Sequence, residues 1–229
     1  MSRNPPGLLR RFIGLVLKLI LYFVLLSLAL VLLFKFVNPP TTITMLTDTN
    51  GATRQWSNIG NIDRDMVSAV IAAEDSKFCS HNGFDQEAIV EAMERNAKGG
   101  RLRGASTISQ QTAKNVFLWQ DGGYVRKALE AWFTLLIEQI WGKERIMEVY
   151  LNIAETGIGT YGVEAGAQRY FNKGASSLSR SEAARMAAAL PLPKERAVIN
   201  PTGFTRRYGN TIAARIAVVQ RDKLDSCAR

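Results

Sequence analysis

The sequence predicts a mostly α-helical protein, one globular domain standing on a single N-terminal membrane helix. Three observations carry this expectation. From Phe12 to Phe34 the chain reads FIGLVLKLILYFVLLSLALVLLF, with Lys18 its only charge. As a helix that run covers about 34 Å, enough to cross a hydrocarbon core of roughly 30 Å. Past Gly51, apolar residues recur at helical spacing almost throughout. Finally, a 229-residue chain that is 47% hydrophobic has room for one domain with a real core and is too apolar for disorder.

Arg3, Arg10 and Arg11 precede the apolar run, and only Lys35 follows it closely. Basic residues stay on the cytoplasmic side, so 1–11 is expected as a cytoplasmic tail, 12–37 as the anchor and 38–229 as an exported domain. Lys18 lies within reach of the interface and can snorkel there. The segment is long for a signal peptide, and KFVNPP carries no small-x-small cleavage site. Residues 1–37 supply +5 of the formal charge of +9. The remainder is only mildly basic, and no array of basic and aromatic residues suggests nucleic acid.

In the exported part, Asn38-Pro39-Pro40 stiffens the exit from the anchor. Thr41 to Thr47 is expected as a short strand and Asp48 to Gly51 as a turn. Met66 to Ala73 scans as a buried helix, and Asp85 can cap a helix over 86–98. The basic, glycine-flanked stretch 99–104 is expected as the most mobile element. Helices follow from Ser106 to about Phe117, from Tyr124 to Trp141 and from Lys143 to Ile153. Glycines 157, 159 and 162 break the chain before a short helix ending near Phe171. Ser179 and Glu182 make a capping box for a helix stopped by Pro191 and Pro193, and an amphipathic helix runs from about Thr205 to Leu224. Cys79 and Cys227 are the two cysteines. Two do not make a disulfide framework, and Cys79 is expected to fill a small apolar gap as a free thiol.

The stretch EDSKFCSHNG (74–83) is where chemistry is expected. A carboxylate where a buried helix gives way to a loop sits at the edge of low dielectric. Its charged form is disfavoured there and its pKa rises, as a general base requires. The alternative, that Glu74 solvates a helix end and Asp75 pairs with a nearby lysine, stays open on local residues alone. His81, the single histidine, is read as holding the turn by a hydrogen bond, because one histidine makes no ordinary metal site. On the helix that follows, Thr107, Gln111, Lys114 and Asn115 share one face, with one cation among neutral hydrogen-bonding groups. Such a face suits a polyol and phosphate ligand. Arg126 and Glu130 stand one turn apart and can pair. Facing a cleft, Glu130 becomes a second carboxylate, with Arg126 and Lys127 as anion ligands. The residues from Tyr150 through Phe171 read mainly as packing.

With these motifs in order, the chain resembles the monofunctional peptidoglycan glycosyltransferases, the family that also forms the N-terminal half of bifunctional penicillin-binding proteins. The motifs are EDSKFCSHNG (74–83), GASTISQQTAKN (104–115), RKALEAWFTLLIE (126–138), KERIMEVYLN (143–152) through GIGTYGVEAGAQRYFNK (157–173), and SEAARMAAALPLP (181–193) with Asn200-Pro201. The resemblance implies a lysozyme-like α-helical domain with a smaller membrane-proximal lobe, acting on lipid II and a growing glycan strand at the bacterial inner membrane. It implies Glu74 as general base and Glu130 as the assisting glutamate. Asp75, Phe78 and His81 would shape the first motif. Ser106, Thr107, Gln110, Gln111, Lys114, Asn115, Arg126 and Lys127 would bind sugar and diphosphate. Several relatives carry a basic residue on the helix after the first motif, where this chain has Glu91 or Arg95. No cofactor is obligatory, although a magnesium or manganese ion held by substrate phosphates fits the chemistry. Other wall-synthesis or division proteins are compatible partners. Neither Ser-x-x-Lys nor Lys-Thr-Gly occurs, so no penicillin-sensitive transpeptidase site is expected. Two rival readings are a lysozyme-like hydrolase and an inactive wall-assembly scaffold.

Overall fold

The computed structural model describes residues 7–97 and 106–229. The chain forms two compact units, Met1–Asn38 and Pro39–Arg229. The first contains α1 (Leu8–Phe36), whose 29 residues rise about 43 Å. It is apolar around its circumference, with a mean hydropathy of 2.8 over an 18-residue window, and is long and apolar enough to cross a membrane.

The second unit opens on α2 (Ile43–Thr47), a helix where a strand was expected. The Thr42 hydroxyl accepts the Met45 N–H at 3.2 Å, and this local cap wins over the β-propensity of a short β-branched run. The strands lie elsewhere. β1 (Thr53–Arg54) runs parallel to β3 (Thr160–Tyr161), and β2 (Glu155–Gly157) pairs antiparallel on the other side of β3. Strands of two or three residues are too short to show alternation in the sequence.

The core is built around α3 (Arg64–Glu74), in which every residue from Met66 to Ala72 is buried. It packs against α9 (Arg180–Ala189) and α10 (Gly203–Arg221). Alanines 183, 184, 187 and 188 form the buried surface of α9 and let these helices approach closely. Ser179 and Glu182 make the expected capping box. A second group packs α5 (Ile108–Phe117) on α6 (Tyr124–Ile140) and α7 (Lys143–Ile153), with Phe117 and Phe133 stacked at 4.4 Å. Asp85 caps α4 (Gln86–Ala97) through the Ala88 N–H at 3.0 Å, and α8 (Val163–Phe171) follows the sheet. The stretch 99–104, expected to be mobile, lies outside the described residues.

Cys79 is not a free thiol filling a gap. It is bonded to Cys227, 148 positions further along the sequence. The folded chain brings the two together, which no local signal could show. Closing so long a loop stabilises the fold by on the order of 5 kcal/mol in the chain-entropy picture.

Asn152 joins the helices to the segment before α3. Fully buried on α7, it accepts the Ser57 N–H at 2.7 Å and donates to the carbonyls of Ser57 and Glu148, both at 2.8 Å. Asn152→Leu leaves the Ser57 amide and carbonyl buried without partners. It is expected to lower unfolding free energy by about 2–4 kcal/mol, read from urea titration. A loss below about 0.5 kcal/mol would show that Ser57 finds water instead.

Candidate active site

Glu74 is the last residue of α3, and the turn after it is held on every side. The Asp75 carboxylate accepts the Ile108 N–H at 3.0 Å and lies 2.9 and 3.0 Å from His81 Nε2. The Gly83 N–H donates to His81 Nδ1 at 3.1 Å, so the proton resides on Nε2 and points at Asp75. The Thr107 hydroxyl donates to the Gly83 carbonyl at 2.7 Å. Gly83 has φ +93°, and a Cβ there would stand 2.8 Å from Thr134 Cγ2, so both conformation and space call for glycine. Phe78 is fully buried under Lys143, whose Nζ stands 4.5 Å from the ring centroid.

Thr107 and Gln110 form a reciprocal capping box at the start of α5. The helix therefore begins at Ile108, two residues later than the sequence suggests. Thr107 sits at the cap, not on the polar face with Gln111, Lys114 and Asn115. Asp75, Phe78, His81, Thr107 and Gln110 all have their side chains occupied by protein groups, and together they fix α3 to α5.

That frame places Gln111 beside Glu74. Gln111 Nε2 donates to Glu74 Oε2 at 2.9 Å, while Tyr150 donates to Gln111 Oε1 at 3.4 Å and so orients the amide. Glu74 Oε1 is buried and has no partner among the described residues. Burial pushes the Glu74 carboxyl above its ordinary 4.5; the Gln111 hydrogen bond and the Arg196 charge oppose this, and the Asp75 charge adds to it. Burial, then the charges of Glu74 and Asp75, hold the Tyr150 phenol well above its ordinary value, so it stays neutral.

Next to this pair opens a cavity of about 310 Å³ lined by Gln111, Lys114, Asn115, Tyr150, Glu155 and Lys194, among others. Burial lowers the Lys114 pKa, with Glu130 opposing and Arg126 and Lys127 reinforcing the shift. At the far side, Asp48 accepts from the Tyr161 hydroxyl at 2.6 Å and from Lys194 at 3.3 Å. The Tyr161 bond leads in holding Asp48 well below the usual carboxylate range. Lys194 also lies 3.5 Å from Glu155, whose carboxyl is raised by burial against the pull of that lysine.

Glu130 is 3% exposed and has both oxygens engaged, one by Arg126 Nη1 at 2.7 Å and the other by Lys127. What reads in sequence as a surface pair is thus a buried one carrying a surplus positive charge. Lys127 also reaches Ser106 Oγ at 3.4 Å. Arg95 pairs with Glu91 at 2.5 Å on an exposed helix face. The structure therefore gathers Gln111, Lys114 and Asn115 at one cavity, with Glu74 joined to it through the Gln111 hydrogen bond and Glu130, Arg126 and Lys127 within electrostatic range of Lys114. Sequence reading missed Tyr150, Glu155, Tyr161, Lys194 and Arg196. The first three lie in the run read as packing, and Lys194 directly follows the last proline of the fifth motif.

Residues 41–217 match the family model described as Transglycosylase. The chain belongs to the transglycosylase family. It is 47% identical over 230 residues to the biosynthetic peptidoglycan transglycosylase of Caulobacter vibrioides, covering 99% of each chain. It is 46% identical over 226 residues to the protein of that name from Rhodospirillum centenum, covering 97% of this chain and 96% of the relative. The protein of that name from Xanthomonas axonopodis pv. citri is 46% identical over 218 residues, 91% and 89% of the two chains. The transglycosylase match covers the whole set of cavity residues from Thr44 to Lys194.

The Gln111 hydrogen bond favours ionised Glu74. Gln111→Met keeps the bulk and removes the donor, so the Glu74 midpoint is expected to rise, followed by carbon-13 NMR of its carboxyl. A midpoint that falls or stays put would remove this hydrogen bond from the control of Glu74.

Proposed function

We propose that this transglycosylase polymerises lipid II into β-1,4-linked glycan strands, with Glu74 as general base. The observation that carries the reading is the unpartnered, buried Oε1 of Glu74 beside a cavity bearing Lys114. Glu74 takes the proton from the 4-hydroxyl of the acceptor's N-acetylglucosamine as that oxygen attacks the anomeric carbon of the growing strand. The bond to the α-linked diphosphate breaks, undecaprenyl diphosphate leaves and configuration inverts. General-base help of this kind contributes roughly 10²–10⁴ in rate.

The leaving diphosphate is a stable anion and needs cations more than a proton donor. Lys114, Arg126 and Lys127 supply them, with Glu130 fixing the last two. Asn115 and Gln111 offer hydrogen bonds to sugar or phosphate oxygens. No step requires a cofactor; a magnesium or manganese ion would act on substrate phosphates. The anchor keeps the domain beside a lipid-borne substrate, and the arginines before it argue for a cytoplasmic N-terminus and a periplasmic domain at the inner membrane.

One observation also suits a second reading. A carboxyl raised by burial can serve as a general acid, as a glycan hydrolase requires. The cations near Glu130 weigh against it, because a glycosidic leaving group needs a proton and not a cationic cradle.

Purified protein incubated with lipid II, with and without magnesium, separates the readings. New strands on a gel mean synthesis, shortened added strands mean hydrolysis, and no change leaves a scaffold. Glu74→Gln is expected to lose strand synthesis by at least about 10²-fold while keeping its melting temperature. Normal synthesis by that variant would take Glu74 out of the mechanism.

A further inference from the structure

The last residues of the chain return to the helix that carries Glu74. Asp225 is 1% exposed and accepts from Arg64 Nε and Nη2, both at 2.9 Å, and from the Ser68 hydroxyl at 2.9 Å. Arg64 and Ser68 lie in the first turns of α3. Two residues later Cys227 is bonded to Cys79, five residues past Glu74, and the Cys227 N–H lies 3.3 Å from Cys79 Sγ. Ala228 is fully buried. The segment 225–228 is therefore a strap that grips α3 near its start and the 74–83 turn beyond its end.

The turn needs such a hold. Glu74 stands at a helix C-terminus, where backbone carbonyls are left without helical partners and the dipole disfavours a carboxylate. Gln111 holds its Oε2, but its Oε1 has no partner among the described residues, so its place depends largely on the backbone on either side. On the upstream side that backbone is the buried helix. Downstream, Asp75 and His81 tie the turn to α5, and the disulfide is the one covalent tie among the described residues.

Resting on the proposed synthesis from lipid II, we infer that the strap, through the Cys79–Cys227 bond and Asp225, is a positioning element that holds Glu74 in its desolvated, proton-accepting place. Loosening the strap lets the turn move and water reach Glu74, so the base is both misplaced and weaker. Catalysis then becomes sensitive to reduction of this bond. A dithiol delivers two electrons and two protons to the sulfur pair, leaving two thiols and its own cyclic disulfide.

The test compares wild type with Cys79→Ser/Cys227→Ser in full-length protein, with lipid II as substrate, below the melting temperature of either. The expected result is a kcat lower by on the order of tenfold, short of the hundredfold that a 1 Å misplacement can cost. KM should stay within about twofold, as an interaction felt only in the transition state requires. The acid limb of the kcat profile should move to lower pH, since hydration returns Glu74 toward its ordinary value. That last shift is one that loss of stability alone does not produce. Because the unbridged chain can be too unstable to assay, Asp225→Asn, which keeps the bridge, is read the same way and should move the limb in the same direction. Reoxidation of reduced wild type should restore both rate and profile. An acid limb unmoved in both variants overturns the positioning role. Failure of wild type to make strands would instead overturn the proposed function.

Discussion

The Asp75 carboxylate is the joint on which this structure depends. It receives the first free N–H of α5 and the Nε2 proton of His81, and His81 in turn receives the Gly83 amide. One buried anion thereby satisfies the positive end of a helix and closes a ten-residue turn. Everything downstream in space follows from this joint. With α3 and α5 fixed end to end, Gln111 falls beside Glu74, and Lys114 follows one turn along the same helix. A residue at 75 whose side chain carries no acceptor would leave buried donors on both sides unpaired.

The site combines two electrostatic regimes that need to be kept apart. Glu74 is desolvated and solvated by a single amide, so its proton affinity rises. Glu130 is buried too but is matched by two cations. Two glutamates of the same chemistry thus acquire different properties from their neighbours: one is suited to the proposed role of proton acceptor, the other holds Arg126 and Lys127 in place. Lys114 lies between these regimes, desolvated yet drawn by Glu130, which suits a cation that waits for an anionic group in the substrate.

Much of the fold was legible locally. The N-terminal helix is readable because its apolar run is long enough to cross a membrane, and the capping residues Asp85 and Ser179 mark helix starts by side-chain chemistry that acts within three residues. Thr42 is the instructive exception. The same hydroxyl chemistry that marks helix starts elsewhere was overlooked in a run of β-branched residues, and the cap prevailed. Glu74, Gln111 and Lys114 were legible as candidates because their charge or polarity conflicts with the apolar elements around them.

What the sequence determined by itself is the α-helices other than α2, the long apolar N-terminal helix among them, and the chemical identity of the candidate base and cations, since these rest on interactions within a few residues. What only the tertiary structure decided is which groups meet: Cys79 with Cys227, Asp225 with Arg64, Tyr161 and Lys194 with Asp48, and Glu130 as a buried carboxylate held by Arg126 and by the exposed Lys127. These contacts join residues far apart in the chain or depend on how deeply a helix face is covered. Burial is a property of the packed molecule, and it is burial that turns ordinary side chains into a site.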